Sequence, residues 1–160
     1  MDRLVRNSYT KVDGDWVVTK STTLVYQKVP YTYGYVELLK QKIQDVLTPD
    51  LLTKKYRKIN ETNPLYGHCY HSTQAMYYLL DSDTLVSYSG KDWRGEDHWW
   101  LTNSEDGYII DVTADQYYSI GEKPPHDVGK PTKWYGWKGR VHKRTMVLMQ
   151  KIQSDVAFFE

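Results

Sequence analysis

Tyr66-Gly67-His68-Cys69-Tyr70-His71-Ser72-Thr73-Gln74-Ala75-Met76-Tyr77-Tyr78-Leu79-Leu80, YGHCYHSTQAMYYLL, carries the only cysteine of the chain and sets it where loop passes into helix. From Ser72 the pattern is helical: Thr73, Met76, Tyr77 and Leu80 share a stripe, and Asp81-Ser82-Asp83 ends it. Upstream, Asn63-Pro64 and Gly67 break the chain. Cys69 therefore falls at a helix start, where unpaired N–H groups and the positive end of the helix dipole stabilise a thiolate, the reactive form of the residue. A lone cysteine is also among the most frequently buried side chains, so the segment reads as a nucleophile or as core filler.

Residues further along the chain favour the nucleophile. The run HWWLT, the turn NSEDG and the run YIIDVT read as two adjacent antiparallel strands. That pairing brings His98, at the start of the first, beside Asp111, at the end of the second. A histidine within reach of a thiol can take its proton, and a carboxylate on the far ring nitrogen fixes tautomer and orientation. The oxyanion formed on an attacked carbonyl needs donors. The backbone N–H of Cys69 is one candidate; the amide of Asn63, six residues upstream, is a second, and Gln74 a weaker one.

The rest of the chain supplies a frame. Asp13-Gly14 marks a hairpin between Tyr9–Val12 and Trp16–Thr19, and Leu24–Val29 reads as a further strand. Val36, Leu39, Ile43 and Val46 lie at helical spacing, and Thr48-Pro49 restarts a helix through TPDLLTKKY. LVSYS is a strand, residues 121–139 a loop, and a closing helix from about Val141 carries Leu148, Ile152 and Val156 on one face. The expected fold is one α+β domain over residues 1–160. With 160 residues, such a chain buries roughly two-thirds of its unfolded surface and needs no staple. A single cysteine, no apolar leader and no run near the ~20 apolar residues of a spanning helix point to a soluble, cytoplasmic protein. The net charge of +1 gives no general attraction to nucleic acid. The 15 Tyr and 6 Trp against 2 Phe suit a wet-edged core or a lined groove. Trp93, Trp99, Trp100, Trp134 and Trp137 are the candidate groove residues; Trp99 and Trp100 point to opposite faces of one strand, so one of them belongs to the core.

Cys69 in GHC, His98 in HWW and Asp111 in DVT resemble the papain-like cysteine fold in its transglutaminase-like branch. NPLYGHCYHSTQAMYYLL, DHWWLT and IIDVTADQYY look more closely like the small YunG-type domains of bacteria and phages, which share an Asp-x-Thr-x-x-Gln ending. The resemblance covers roughly residues 60–120. It implies a Cys69–His98–Asp111 triad, an amide or peptide substrate, a thioester intermediate resolved by water or an amine, and Asn63 where papain-like enzymes carry an oxyanion-hole Gln. No metal or organic cofactor is required. By analogy with phage domains, the partner is a protein or peptide, and a host protein is the natural target of such an effector.

Two other readings compete. His68, Cys69, His71, His98 and Asp111 are all usable zinc ligands, but they lack Cys-x-x-Cys or i, i+4 histidine spacing. The segment Lys130–Arg144, KPTKWYGWKGRVHKR, has six Lys or Arg, no acid and three Trp or Tyr, a composition for binding nucleotides or single strands, or for a solvated loop. His126, in KPPHDVG, reads as a surface residue. The sequence leaves substrate, acceptor and oligomeric state open.

Overall fold

The computed structural model describes residues 1–132 and 141–153. Trp134, Trp137 and Val156, and most of the basic aromatic segment, lie outside them. The chain is mixed α and β. It opens with an antiparallel ribbon of β1 (Asp2–Val12) and β2 (Asp15–Tyr26). Asp13 and Gly14 turn it with φ of 51° and 86°, the left-handed pair that matches the twist of a two-residue hairpin. The strand expected at Leu24–Val29 is instead the end of β2, where Leu24 and Tyr26 reach the core, followed by β3 (Val29–Pro30), which pairs in parallel with β4 (Leu80–Asp81). The rest of the ribbon stands largely in solvent, tied at mid-length by Arg6 Nη1 donating to the Val141 carbonyl at 3.1 Å.

Helix α1 (Tyr33–Val46) starts where the Thr32 hydroxyl accepts from the Tyr35 N–H, and it buries Val36, Leu39 and Ile43. The helix expected from Thr48 is divided. A 3-10 turn (Pro49–Leu51) is followed by extended Leu52 and then α2 (Lys54–Asn60). The cause lies in Leu51 and Leu52, both buried: in one continuous helix they would point about 100° apart, and the extended residue lets both face inward.

Helix α3 (Cys69–Leu79) is buried along most of its length and forms the centre of the molecule. On one side lies a four-stranded sheet ordered β7-β6-β5-β8, comprising β5 (Leu85–Lys91), β6 (Asp97–Asn103), β7 (Ile109–Ile110) and β8 (Lys130–Pro131). On another lies α5 (Lys143–Gln153), following a short α4 (Asp115–Tyr118). Leu148, Met149 and Ile152 of α5 meet Met76 and Leu79 of α3 in an aliphatic core shared with α1. The stretch expected as loop from 121 therefore holds structure: a 3-10 turn (His126–Val128), then β8, which pairs antiparallel with β5 at Tyr88 and Ser89. Pro131 is tolerated there because β8 is the edge strand. Among the described residues no helix is long and apolar enough to cross a membrane.

Candidate active site

The segment leading to Cys69 is held by backbone demand. Asn60, buried at the end of α2, donates its amide to the carbonyls of Pro64 and Tyr66 at 2.9 and 3.0 Å. Gly67 follows with φ of 85°, pressed so closely to α2 that an added Cβ would stand 3.1 Å from Tyr56 Cβ. Helix α3 then begins at Cys69, and among the described residues the side chain of its N-cap residue, His68, makes no capping hydrogen bond. The thiol is partly exposed at this end, 3.8 Å from the Asp97 carbonyl oxygen.

His98 projects from β6 and has no exposed surface. Its Nε2 lies 2.7 Å from Asp111 Oδ2, and its Nδ1 is 3.5 Å from the Gln116 side-chain nitrogen. Trp100 stacks on one side of the imidazole and Tyr117 meets it edge-on, with centroids 5.7 and 4.8 Å away. Burial opposes its protonation, but the hydrogen bonds and charges of Asp111 and Cys69 outweigh that and raise its pKa to about 9. Asp111, expected at the end of a strand, stands instead just past the two-residue β7, in a turn where its Oδ1 accepts from the Thr113 N–H. Burial pushes its pKa up, yet hydrogen bonds from His126 and His98 hold it below the usual carboxylate range.

His126 is not the surface residue its sequence suggests. Its Nε2 lies 2.8 Å from the same Asp111 oxygen, so one carboxylate oxygen accepts from two imidazoles. The approach depends on two glycines. Gly90, opposite His98 in the ladder, leaves room for the Pro125 carbonyl and Gly129 Cα, and at Gly129 a Cβ would overlap the Trp100 indole. Gly129→Ala is therefore expected to cost about 1–3 kcal/mol in urea unfolding through overpacking. The same change moves His126 off Asp111, which its histidine NMR signals would report.

The other sequence candidates separate. Asn63 is buried and donates its amide at 2.8 Å to the backbone carbonyl of Gln116, anchoring α4. Gln116, whose side chain reaches the cleft, is the amide that the sequence reading left without a role, although it closes the Asp-x-Thr-x-x-Gln run. Gln74 Oε1 accepts from the His142 N–H and the Thr145 hydroxyl, tying α3 to α5. Trp99 lines the cleft, whereas Trp100 is 1% exposed behind His98. Trp93 is 55% exposed and carries the Arg94 guanidinium on its face at 4.5 Å, outside the cleft lining.

The zinc set weighed from the sequence is dispersed. His68 Nδ1 and His71 Nε2 share a 2.7 Å hydrogen bond within α3's first turn. Among the described residues the metal-capable atoms that converge are those of His98, Asp111 and His126, within 4.8 Å of one another. The 2.7 and 2.8 Å nitrogen–oxygen separations are hydrogen-bond distances, whereas two ligands at ~2.0 Å on a tetrahedral zinc lie ~3.3 Å apart.

Cys69 opens onto a cleft of about 610 Å³ between α2, α3 and the β5–β6 loop. That loop is rigidly closed: Asp92 accepts from Arg94 Nη2 at 2.9 Å, from the Tyr117 hydroxyl at 3.0 Å and from two backbone N–H groups. Compared with protein-family profiles, curated proteins and solved structures, the chain matches none.

Proposed function

We propose that the chain is a cysteine-dependent acyl-transfer enzyme of papain-like, transglutaminase-like type, acting on an amide or peptide bond. The observation that carries this reading is the buried His98–Asp111 pair, 2.7 Å apart, set against a cysteine at the open N-terminus of α3. A His98 that stays protonated at neutral pH favours an imidazolium–thiolate pair. The thiolate sulfur attacks the amide carbonyl, and the oxygen takes the negative charge. The Cys69 backbone N–H and the Gln116 amide meet that charge. One Gln116 hydrogen goes to Thr113 Oγ1 at 3.0 Å; the other cannot donate to a protonated Nδ1 and is free for the oxyanion. His98 gives its Nδ1 proton to the leaving amine, a thioester remains, and water or an amine deprotonated by His98 resolves it. Asp111 holds the ring throughout, and the partner is a protein or peptide.

The test uses the lone thiol. Iodoacetamide should label Cys69 rapidly at about pH 6, below the range where a free thiol of pKa about 8.5 reacts well. His98→Ala should slow that labelling by roughly tenfold or more. Gln116→Ala should leave labelling intact but weaken binding of a peptide aldehyde, whose adduct carries the oxyanion, by roughly a hundredfold. Labelling that follows an ordinary thiol titration in both wild type and His98→Ala would defeat the proposal. A Cys69→Ala protein with undiminished biological effect would point instead to action by binding.

A further inference from the structure

The ionised groups around the cleft are unevenly compensated. On the β5–β6 side every acid is engaged: Asp92 and Glu96 share Arg94 at 2.9 and 3.1 Å, Glu96 also accepts from the Tyr66 hydroxyl at 2.6 Å, and Asp97 pairs with Lys91 at 3.1 Å. On the helical side the cleft is lined by Lys55 of α2 and Arg144 of α5, and neither has an acidic partner among the described residues. Lys55 rests over the Tyr56 ring at 4.8 Å, and Arg144 is half-buried near His71. Cys69 lines the same cleft, with its thiol 3.8 Å from the Asp97 carbonyl oxygen.

We infer that the substrate is an acidic peptide: a carboxylate near the reacting amide is bound by Lys55 and Arg144. This deepens the reading of Cys69 as nucleophile and rests on it. Two cations lining a cleft without counter-charge among the described residues hold a field that a single carboxylate satisfies, with a screened but real gain. A polyanion is disfavoured by the opposite wall. There Arg94 and Lys91 answer three carboxylates, so a phosphodiester strand laid along the cleft meets excess negative charge after its first contact.

Iodoacetate and iodoacetamide alkylate the same sulfur and differ in charge, so the ratio of their rates at Cys69 reads the field of the cleft independently of thiol activation. In wild type the ratio should favour iodoacetate over its value for a free thiolate. It should fall by roughly tenfold in Lys55→Ser/Arg144→Gln, and with added salt, while the iodoacetamide rate holds. Lys91→Ser, which removes a cation that does not line the cleft and is already paired with Asp97, should lower the ratio far less than the double substitution. A capped Ala-Glu-Ala peptide should protect Cys69 better than capped Ala-Lys-Ala, and equal protection by the two overturns the inference. A ratio unmoved by the double substitution, no labelling of the folded protein by either reagent, or stronger protection by oligothymidylate than by the acidic peptide overturns the inference. Slow iodoacetamide labelling with the ratio still biased and still sensitive to Lys55 and Arg144 supports the anion site and overturns the acyl-transfer reading alone.

Discussion

Asp111→Ala is expected to destabilise the protein by about 3–5 kcal/mol and to reduce Cys69 labelling to the level of His98→Ala. The carboxylate is buried and accepts from His98, His126 and the Thr113 N–H, so its removal leaves two imidazoles and a backbone N–H without their acceptor. The loss should depend on pH with a definite sign. His98 has a folded pKa of about 9 against about 6.5 in an unfolded chain, so its contribution is complete below pH 6.5 and disappears as pH rises through 9. That span corresponds to about 3 kcal/mol. Asp111, held below its ordinary value, contributes in the opposite sense: its stability is present above about pH 3.9 and lost as pH falls further. Urea unfolding of wild type and variant from pH 6 to 10 measures the first of these slopes. A wild-type stability that does not decline towards pH 9, or a decline that persists in Asp111→Ala, would contradict the assignment.

The second large effect lies on the acid side and arises from the other histidine pair. His68 is fully buried, its Nε2 has no hydrogen-bond partner among the described residues, and desolvation lowers its pKa to about 4. His71 is shifted well below 6.5, chiefly by burial and then by the charges of His68, Arg144 and His142. An unfolded chain takes up these protons near pH 6.5 and the folded one does not, so stability should fall as pH drops from 6.5 to 4. His68 alone accounts for about 3 kcal/mol, and His71 acts in the same direction. His68→Phe should lower stability at pH 7, because His71 loses its 2.7 Å partner, yet flatten the decline between pH 6.5 and 4. Denaturant midpoints at four or five pH values decide it; a decline as steep in the variant as in wild type would assign the acid sensitivity elsewhere.

Much of the architecture was legible because it depends on local rules. The Asp13-Gly14 turn, the α1 stripe and the strands around NSEDG follow from turn chemistry and periodicity, and so does the position of Cys69 at a helix start. The failures have a common cause in long-range packing. Leu51 and Leu52 break a helix that Thr48-Pro49 starts because both need the core. His126 reaches Asp111 only because Gly90 and Gly129 let a loop lie against Trp100, an arrangement between residues far apart in sequence that no window of the sequence displays. Asn63 and Gln116 illustrate the same limit within the site. Spacing from Cys69 favoured Asn63, but its amide turns to the backbone of Gln116, and the side chain of Gln116 enters the cleft.

The β1–β2 ribbon places part of the molecule outside its cooperative unit. Its strands of 11 and 12 residues extend roughly 35–40 Å, with Leu24 and Tyr26 anchored and Val5, Tyr9, Trp16 and Val18 exposed. Among the described residues the amides between Asn7 and Lys20 bond only across the ribbon and nothing apolar covers it, so such a two-stranded zipper should exchange deuterium by fraying from the Asp13-Gly14 end. Protection should rise stepwise towards Leu24 and join that of α3 only where the chain enters the core. Protease nicks at the tip would then leave the histidine signals around Asp111 unchanged, making the ribbon a handle for labels or tethers whose attachment the cleft at Cys69 does not feel.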